Sequence, residues 1–255
     1  MSPITIARKA LRYGTSIAGL RASDVVVASF PKSGSTWVRF VLGNLAAARE
    51  GLEGPLDYAR LDALLPEFGK SNLLTAPAVG GLPRFVKTHN AYWWPFARAA
   101  ARVVVVRDPL DTMVSFYQFE QGKVHSRFRG AFSDFIRQPG VGLEAWFEHT
   151  RSWRARDIVE VHYETLKADD GAAFEALAGN LGLDAAPDEV AAAVERSRFD
   201  RVKQQEAASG LPDPSLVHEG FEFAKAGRVG RGAEWVSDAD RAYFETLAAR
   251  YGFRH

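Results

Sequence analysis

At 255 residues the chain has the length of one α/β domain that buries its own core. A composition of 47% hydrophobic and 25% charged residues is that of a soluble globular protein, and a net charge of +1 excludes general nucleic-acid affinity, so any anion site is local. With no cysteine, disulfides, thiolate metal sites and a cysteine nucleophile are excluded.

No apolar run approaches the ~18 residues of a membrane span. Met1–Leu20 contains Arg8, Lys9 and Arg12 but no evident cleavage site, so no signal peptide is expected and the cytoplasm is the expected location. Residues 1–22 are read as a helical extension. Ile6, Ala10, Leu11 and Ile17 recur at helical spacing, which predicts a short helix packed on the domain, with a membrane surface as the alternative.

Asp24–Phe30 is a β-branched run closed by a Pro-Lys-Ser-Gly loop, and Thr36–Arg49 follows as a helix with Trp37, Phe40, Val41, Leu45 and Ala48 on one side. Gly69–Pro83 lacks periodicity. Arg84–Lys87, Arg102–Val106 and Ile158–His162 read as further strands, each followed by polar residues. Near-continuous valine fits strands buried on both faces of a parallel sheet. Helices are expected over Leu110–Phe119, Phe174–Leu181, Pro187–Ser197 and Asp238–Tyr251. Gln205–Val236 is read as a loop or lid. Strands alternating with helices predict a single α/β domain, a doubly wound parallel sheet flanked by helices, with ligands at the carboxyl ends of the strands.

The loop Pro31-Lys32-Ser33-Gly34-Ser35-Thr36-Trp37 has the chemistry of an anion cradle. Gly34 permits a tight turn, the N–H groups opening the helix point outward, Ser35 and Thr36 add hydroxyls and Lys32 adds charge. It is not a Walker A loop, because Lys32 precedes Gly34 instead of following it. The bland reading is a helix start capped by Ser and Thr. The order strand, Pro-Lys-Ser-Gly-Ser-Thr-Trp, helix resembles the 5′-phosphosulfate loop of the sulfotransferases that use 3′-phosphoadenosine-5′-phosphosulfate (PAPS), with Ser35 in place of the usual Thr. The resemblance runs from Val25 to Trp235 and implies a P-loop-like fold. It implies that Lys32, Ser33, Gly34, Ser35 and Thr36 bind the 5′-phosphate and that Trp37 stacks on adenine, a role compatible with anchoring the core.

The family's second signature is a buried strand ending in Arg with a Ser eight positions later, matched by Arg107 and Ser115. A guanidinium fork and a hydroxyl two turns along a helix suit a phosphate. The competing reading pairs Arg107 with Asp108 or Asp111. By the same resemblance Tyr163, in His162-Tyr163-Glu164, reaches the nucleotide, and Ser197 and Phe199 contact the adenine region. Phe223-Ala224-Lys225-Ala226-Gly227-Arg228-Val229-Gly230 resembles the family's last nucleotide-binding segment, though Lys225-Ala226 replaces an Arg-Lys pair. Lys225, Gly227 and Arg228 are therefore assigned to the donor, with Arg231 as a further candidate for the 3′-phosphate.

Sulfuryl transfer needs alignment, stabilisation of the leaving oxygen and a base for the incoming hydroxyl. Lys87-Thr88-His89 matches the family's Lys-Thr-His motif, which makes His89 the candidate base, with Lys87 beside the transferred group, Lys32 beside the bridging oxygen and Ser115 restraining Lys32. His125, His149, His162, His218 and His255 are read as ordinary surface or core histidines, and no metal site is expected.

Tyr92, Trp93, Trp94 and Phe96, with Phe116, Phe119, Phe128, Phe132, Phe135, Trp146 and Phe147, suit either an aromatic or apolar acceptor pocket or a core. The expected partner is thus a small-molecule hydroxyl acceptor, the expected product PAP, and the oligomeric state is open. The rival readings are a P-loop kinase, which the displaced lysine disfavours, and a nucleotide-binding module without catalysis.

Overall fold

The computed structural model describes residues 3–126, 128–209, 217–218 and 228–253. Four strands form one parallel sheet in the order β2-β1-β3-β4: β1 (Val25–Ser29), β2 (Phe85–Thr88), β3 (Ala101–Val106) and β4 (Val159–His162). Each lies within one residue of its sequence-predicted limits. Val26 pairs with Val86 on one side and Arg102 on the other, and Val105 pairs with Val161. The chain leaves β1 for β2 and then crosses to β3, so the strand order reverses between β1 and β3, where doubly wound sheets open a ligand crevice.

Side-chain alternation along the strands divides the core in two. Val26, Ala28, Val86, Val104 and Val106 face one cluster. It includes Met113 of α4 (Pro109–Gly122), Phe147 and Trp153 of α6 (Leu143–Arg154) and Leu247 of α11 (Asp238–Tyr251). Val25, Val27, Phe85, Val103 and Val105 face the other cluster. There they meet Phe40 and Leu45 of α2 (Ser35–Arg49), Leu61 of α3 (Tyr58–Leu64), Leu177 of α8 (Asp170–Asn180) and Val194 of α9 (Pro187–Arg196). Helices thus cover both faces, as the all-valine strands require.

The remaining α-helices among the described residues are α1 (Pro3–Gly19), α5 (Phe132–Phe135), α7 (Tyr163–Ala168) and α10 (Phe199–Ser209). α10 extends regular structure into the first residues of the segment read as a loop from Gln205.

At the amino end of the sheet Arg84 clamps the irregular 69–83 segment. Its guanidinium forks onto Asp24 at 2.9 and 2.6 Å and donates to the carbonyls of Gly19, Leu73 and Ala76. Both members of this ion pair are fully buried, and every guanidinium nitrogen has a partner, the condition under which a buried charge is tolerated.

Candidate active site

The carboxyl ends of β1, β2 and β3 open onto one cavity of about 880 Å³. Lys32, Gly34, Ser35, Thr36, Trp37, Lys87, His89, Arg107, Ser115, Tyr163, Ser197, Phe199 and Arg228 all line it. Arg231 does too, whereas Ser33 is 1% exposed and is not among the lining residues. Lys225 and Gly227 lie outside the described residues.

Two residues of the 31–35 loop are left-handed, Lys32 at φ 71° and Gly34 at φ 95°. For Lys32 that conformation costs about 1–3 kcal/mol, and strain of this kind concentrates at ligand sites. Gly34 is constrained twice, because a Cβ there would meet the Tyr163 ring at 2.4 Å. α2 begins with no capping side chain and no acidic residue in its first turn, so its positive end is not neutralised locally. Ser33 Oγ and Arg107 Nε are buried without a partner among the described residues. Of the two, Arg107 lines the cavity, and its unpartnered Nε fits an anion bound there.

Ser29, the last residue of β1, joins this loop to the histidine. Its hydroxyl donates to Ser35 Oγ at 2.9 Å, and its carbonyl oxygen lies 2.9 Å from His89 Nδ1. A carbonyl oxygen only accepts, so the imidazole proton sits on Nδ1 and the lone pair on Nε2. Burial, and then the Lys87 cation, push the imidazolium pKa down to about 3, against the Ser29 hydrogen bond that raises it. His89 is therefore neutral at physiological pH.

Lys87 is not isolated. Pro66 and Phe68 run beside β2 through Lys87 N–H to Pro66 O at 2.9 Å and Phe68 N–H to Lys87 O at 2.8 Å. That pairing brings the Glu67 carboxylate 2.9 Å from Lys87 Nζ and 2.9 Å from Lys70 Nζ. Burial raises the Glu67 pKa, but Lys87 and Lys70 outweigh it and hold the carboxyl at about 2. Burial lowers the Lys87 pKa, and Glu67 opposes that shift. Sequence reasoning missed Glu67 and Lys70, because the segment forms a single bridge with no periodicity of its own.

Arg107 stacks its guanidinium 4.5 Å from the centre of the Tyr163 ring. It donates to Arg228 O at 3.1 Å and only weakly to Asp111, at 3.5 Å. Asp108 is not its partner. Its side chain caps α4 by accepting from Asp111 N–H, and its own N–H donates to Glu164. Asp111, which the competing reading paired with Arg107, is 1% exposed and accepts the N–H groups of Gly230 at 2.8 Å and Gly232 at 2.6 Å. Residues 228–232 are thereby latched beside Arg107.

Trp37 packs its ring 6.2 Å from Tyr163 and 5.9 Å from Phe174 and also lines the cavity. Ser197 is fully buried, its hydroxyl hydrogen given to Ala193 O and its oxygen accepting from Asn44, so at most one lone pair remains for a ligand. Lys32 Nζ stands 4.7 Å from the centre of the Phe119 ring, one turn beyond Ser115 on α4. Of the aromatic residues, Phe116 and Phe119 reach the cavity, whereas Phe132, Phe135, Trp146 and Phe147 belong to the core.

The sulfotransferase-domain family model matches residues 22–246. The chain belongs to the sulfotransferase family. It is 25% identical over 248 residues to cytosolic sulfotransferase 1 of Danio rerio, an alignment covering 89% of this chain and 82% of that protein. Among solved structures, a mouse sulfotransferase complexed with PAP superimposes with a TM-score of 0.69 at 20% identity, covering 94% of this chain and 88% of that one. Retinol dehydratase in complex with androsterone and inactive cofactor PAP superimposes with a TM-score of 0.68 at 19% identity, covering 91% and 81%. The sulfotransferase is an enzyme of sulfuryl transfer, and none of its helices among the described residues is long and apolar enough to cross a membrane.

Proposed function

We propose that this sulfotransferase moves a sulfuryl group from PAPS to the hydroxyl of a small-molecule acceptor by in-line attack, in the cytoplasm. The observation that carries the reading is the Ser29 bridge, which fixes a neutral imidazole and an anion loop at the edge of one cavity. Bound there, PAPS supplies the sulfuryl group and a leaving phosphate oxygen.

Lys32, Ser33, Gly34, Ser35, Thr36 and the start of α2 hold the 5′-phosphate. Arg107, Ser115 and Arg228 hold the 3′-phosphate, together with Lys225 and Gly227. Trp37 stacks on the adenine, and Tyr163, Ser197 and Phe199 enclose it. His89 Nε2 takes the acceptor's proton while Nδ1 stays tied to Ser29. Lys87 favours the negative charge that develops on the transferred group, and Lys32 favours it on the leaving oxygen. Phe116 and Phe119, with Tyr58 and Phe40, give the acceptor side an aromatic wall.

The test is a transfer assay with sulfur-labelled PAPS and a panel of small hydroxyl compounds, phenols and apolar alcohols included. Labelled sulfate ester with equimolar PAP is the expected result. Tight PAP binding without transfer to any acceptor would reduce the chain to a nucleotide-binding module. Magnesium-dependent transfer of phosphate from ATP would overturn the reading.

A further inference from the structure

Seven large apolar side chains stand exposed among the described residues, and they are not scattered. Ile6, Leu11, Leu74, Trp93 and Trp94 gather on α1 or on segments packed against it, leaving only Leu52 and Val229 elsewhere. The Trp93 ring lies 6.4 Å from that of Tyr13 on α1 and 6.1 Å from that of Trp94. The backbone of Leu73 and Leu74 lies so close to Gly19 that a Cβ there would meet it at 2.3 Å. Single exposed apolar residues need no explanation, but a gathered set marks an interaction surface.

α1 itself is divided. Its second half is anchored: Ser16 is fully buried, donates to Ser71 O and accepts Gly69 N–H, and Tyr13 OH donates to Asn90. From Thr5 to Arg12 every residue is exposed. These two turns continue the helix in an exposed position, although so short a piece of helix has little stability of its own. At 100° per residue, Ile6, Ala7, Ala10, Leu11, Ile17 and Ala18 fall on one half of the cylinder, and Arg8, Lys9 and Arg12 on the other. The helix contains no Asp or Glu.

From this arrangement we propose that α1 and the Trp93–Trp94 corner form a docking face for an anionic phospholipid surface. The helix lies in the plane of the interface, Ile6 and Leu11 enter the acyl boundary, and Arg8, Lys9 and Arg12 meet the headgroups. Two exposed indoles beside the helix suit the same boundary, where one end of the ring is apolar and the other wet. Charge decides between occupants. A helix with three cations and no carboxylate repels a second copy of itself and is attracted to an anionic bilayer.

The test uses the full chain in co-sedimentation with vesicles of phosphatidylcholine alone and of phosphatidylcholine with phosphatidylglycerol, at low and high salt. Sedimentation is expected only with the anionic vesicles, weakened by salt, with a blue shift in tryptophan emission that is reduced in Trp94→Phe. The double variant Arg8→Gln, Arg12→Gln should bind roughly thirtyfold more weakly. Leu11→Ser should also weaken binding, and all three changes should leave PAP affinity unaltered, which shows that the fold is intact. Equal sedimentation of the Arg8→Gln, Arg12→Gln variant would overturn the proposal. So would failure of the folded protein to bind anionic vesicles, or a stable dimer that Leu11→Asp disperses in a protein indifferent to lipid.

Discussion

His89 Nδ1 lies 2.9 Å from the carbonyl oxygen of Ser29, the residue whose hydroxyl also bonds Ser35 at the start of α2. The imidazole and the 31–35 loop therefore share one strand end, and moving either moves the other. His89→Ala should lower kcat by about 10²–10⁴ while PAP affinity changes little, because the loop keeps its own donors. Calorimetric PAP titration beside single-turnover transfer separates the two. Near-normal transfer in the variant would remove His89 as the base.

The same burial makes a statement about pH. The imidazolium pKa is pushed down to about 3 at His89 and to about 4 at His149, in both cases chiefly by burial. A histidine with a depressed folded pKa leaves the unfolded chain binding more protons below pH ~6.5, so stability falls as pH drops through that window. His162, raised by its bond to Glu160, opposes this, but it is half exposed and its contribution is screened. Between pH 7 and pH 5 the unfolding free energy from urea titration should therefore decrease, by on the order of 1–2 kcal/mol for each buried histidine. His149→Phe should flatten the dependence without touching the cavity.

Glu67 supplies the counter-charge for Lys87, with both side chains nearly buried. Glu67→Gln leaves a buried ammonium without its carboxylate, at a cost of about 1–3 kcal/mol. It also increases the positive charge beside His89, so the histidine becomes a weaker base and kcat falls while PAP binding holds or tightens. Thermal unfolding and a comparison of kcat with PAP affinity check the two halves. A drop in PAP affinity with unchanged kcat would place Glu67 outside the reacting end.

Most of this site was legible because its parts are local. The loop at 31–37, Arg107 with Ser115, and Lys87-Thr88-His89 each sit within a few residues of a strand end, and valine runs fix where those strands stop. Glu67 and Asp111 were not legible as site residues. Glu67 reaches Lys87 through a single bridge, and Asp111 accepts N–H groups 119 and 121 residues away along the chain. α6 was missed for another reason. Its Leu143, Trp146, Phe147, Thr150 and Trp153 do follow a helical period, but aromatic residues at that spacing suit a pocket as well as a core. α10 continues into residues 205–209, where a polar sequence carries no apolar period.

Gly34→Ala should abolish donor binding. Its φ of 95° penalises any Cβ, and that Cβ would also lie 2.4 Å from Tyr163. Adding Tyr163→Ala removes the clash but not the backbone penalty, so the double variant should recover little PAP affinity. Full recovery would show that space alone selected glycine.

Asp111 is the last and sharpest test, because its partners belong to the segment that departs most from the family's pattern. Its oxygens take the N–H groups of Gly230 and Gly232 and a weak bond from Arg107, so Asp111→Ala strands two backbone donors and frees residues 228–232. Stability should fall by about 1–3 kcal/mol. PAP affinity should fall at least tenfold, because Arg107 and Arg228 lose their fixed relation, while kcat at saturating donor stays within a fewfold of normal. Asp111→Asn should behave almost as badly, since an amide NH₂ facing a backbone N–H cannot accept from it. Isothermal titration with PAP and initial rates at saturating PAPS give the required separation. If PAP affinity survives while kcat collapses, Asp111 acts on the reacting end and the latch is the wrong description.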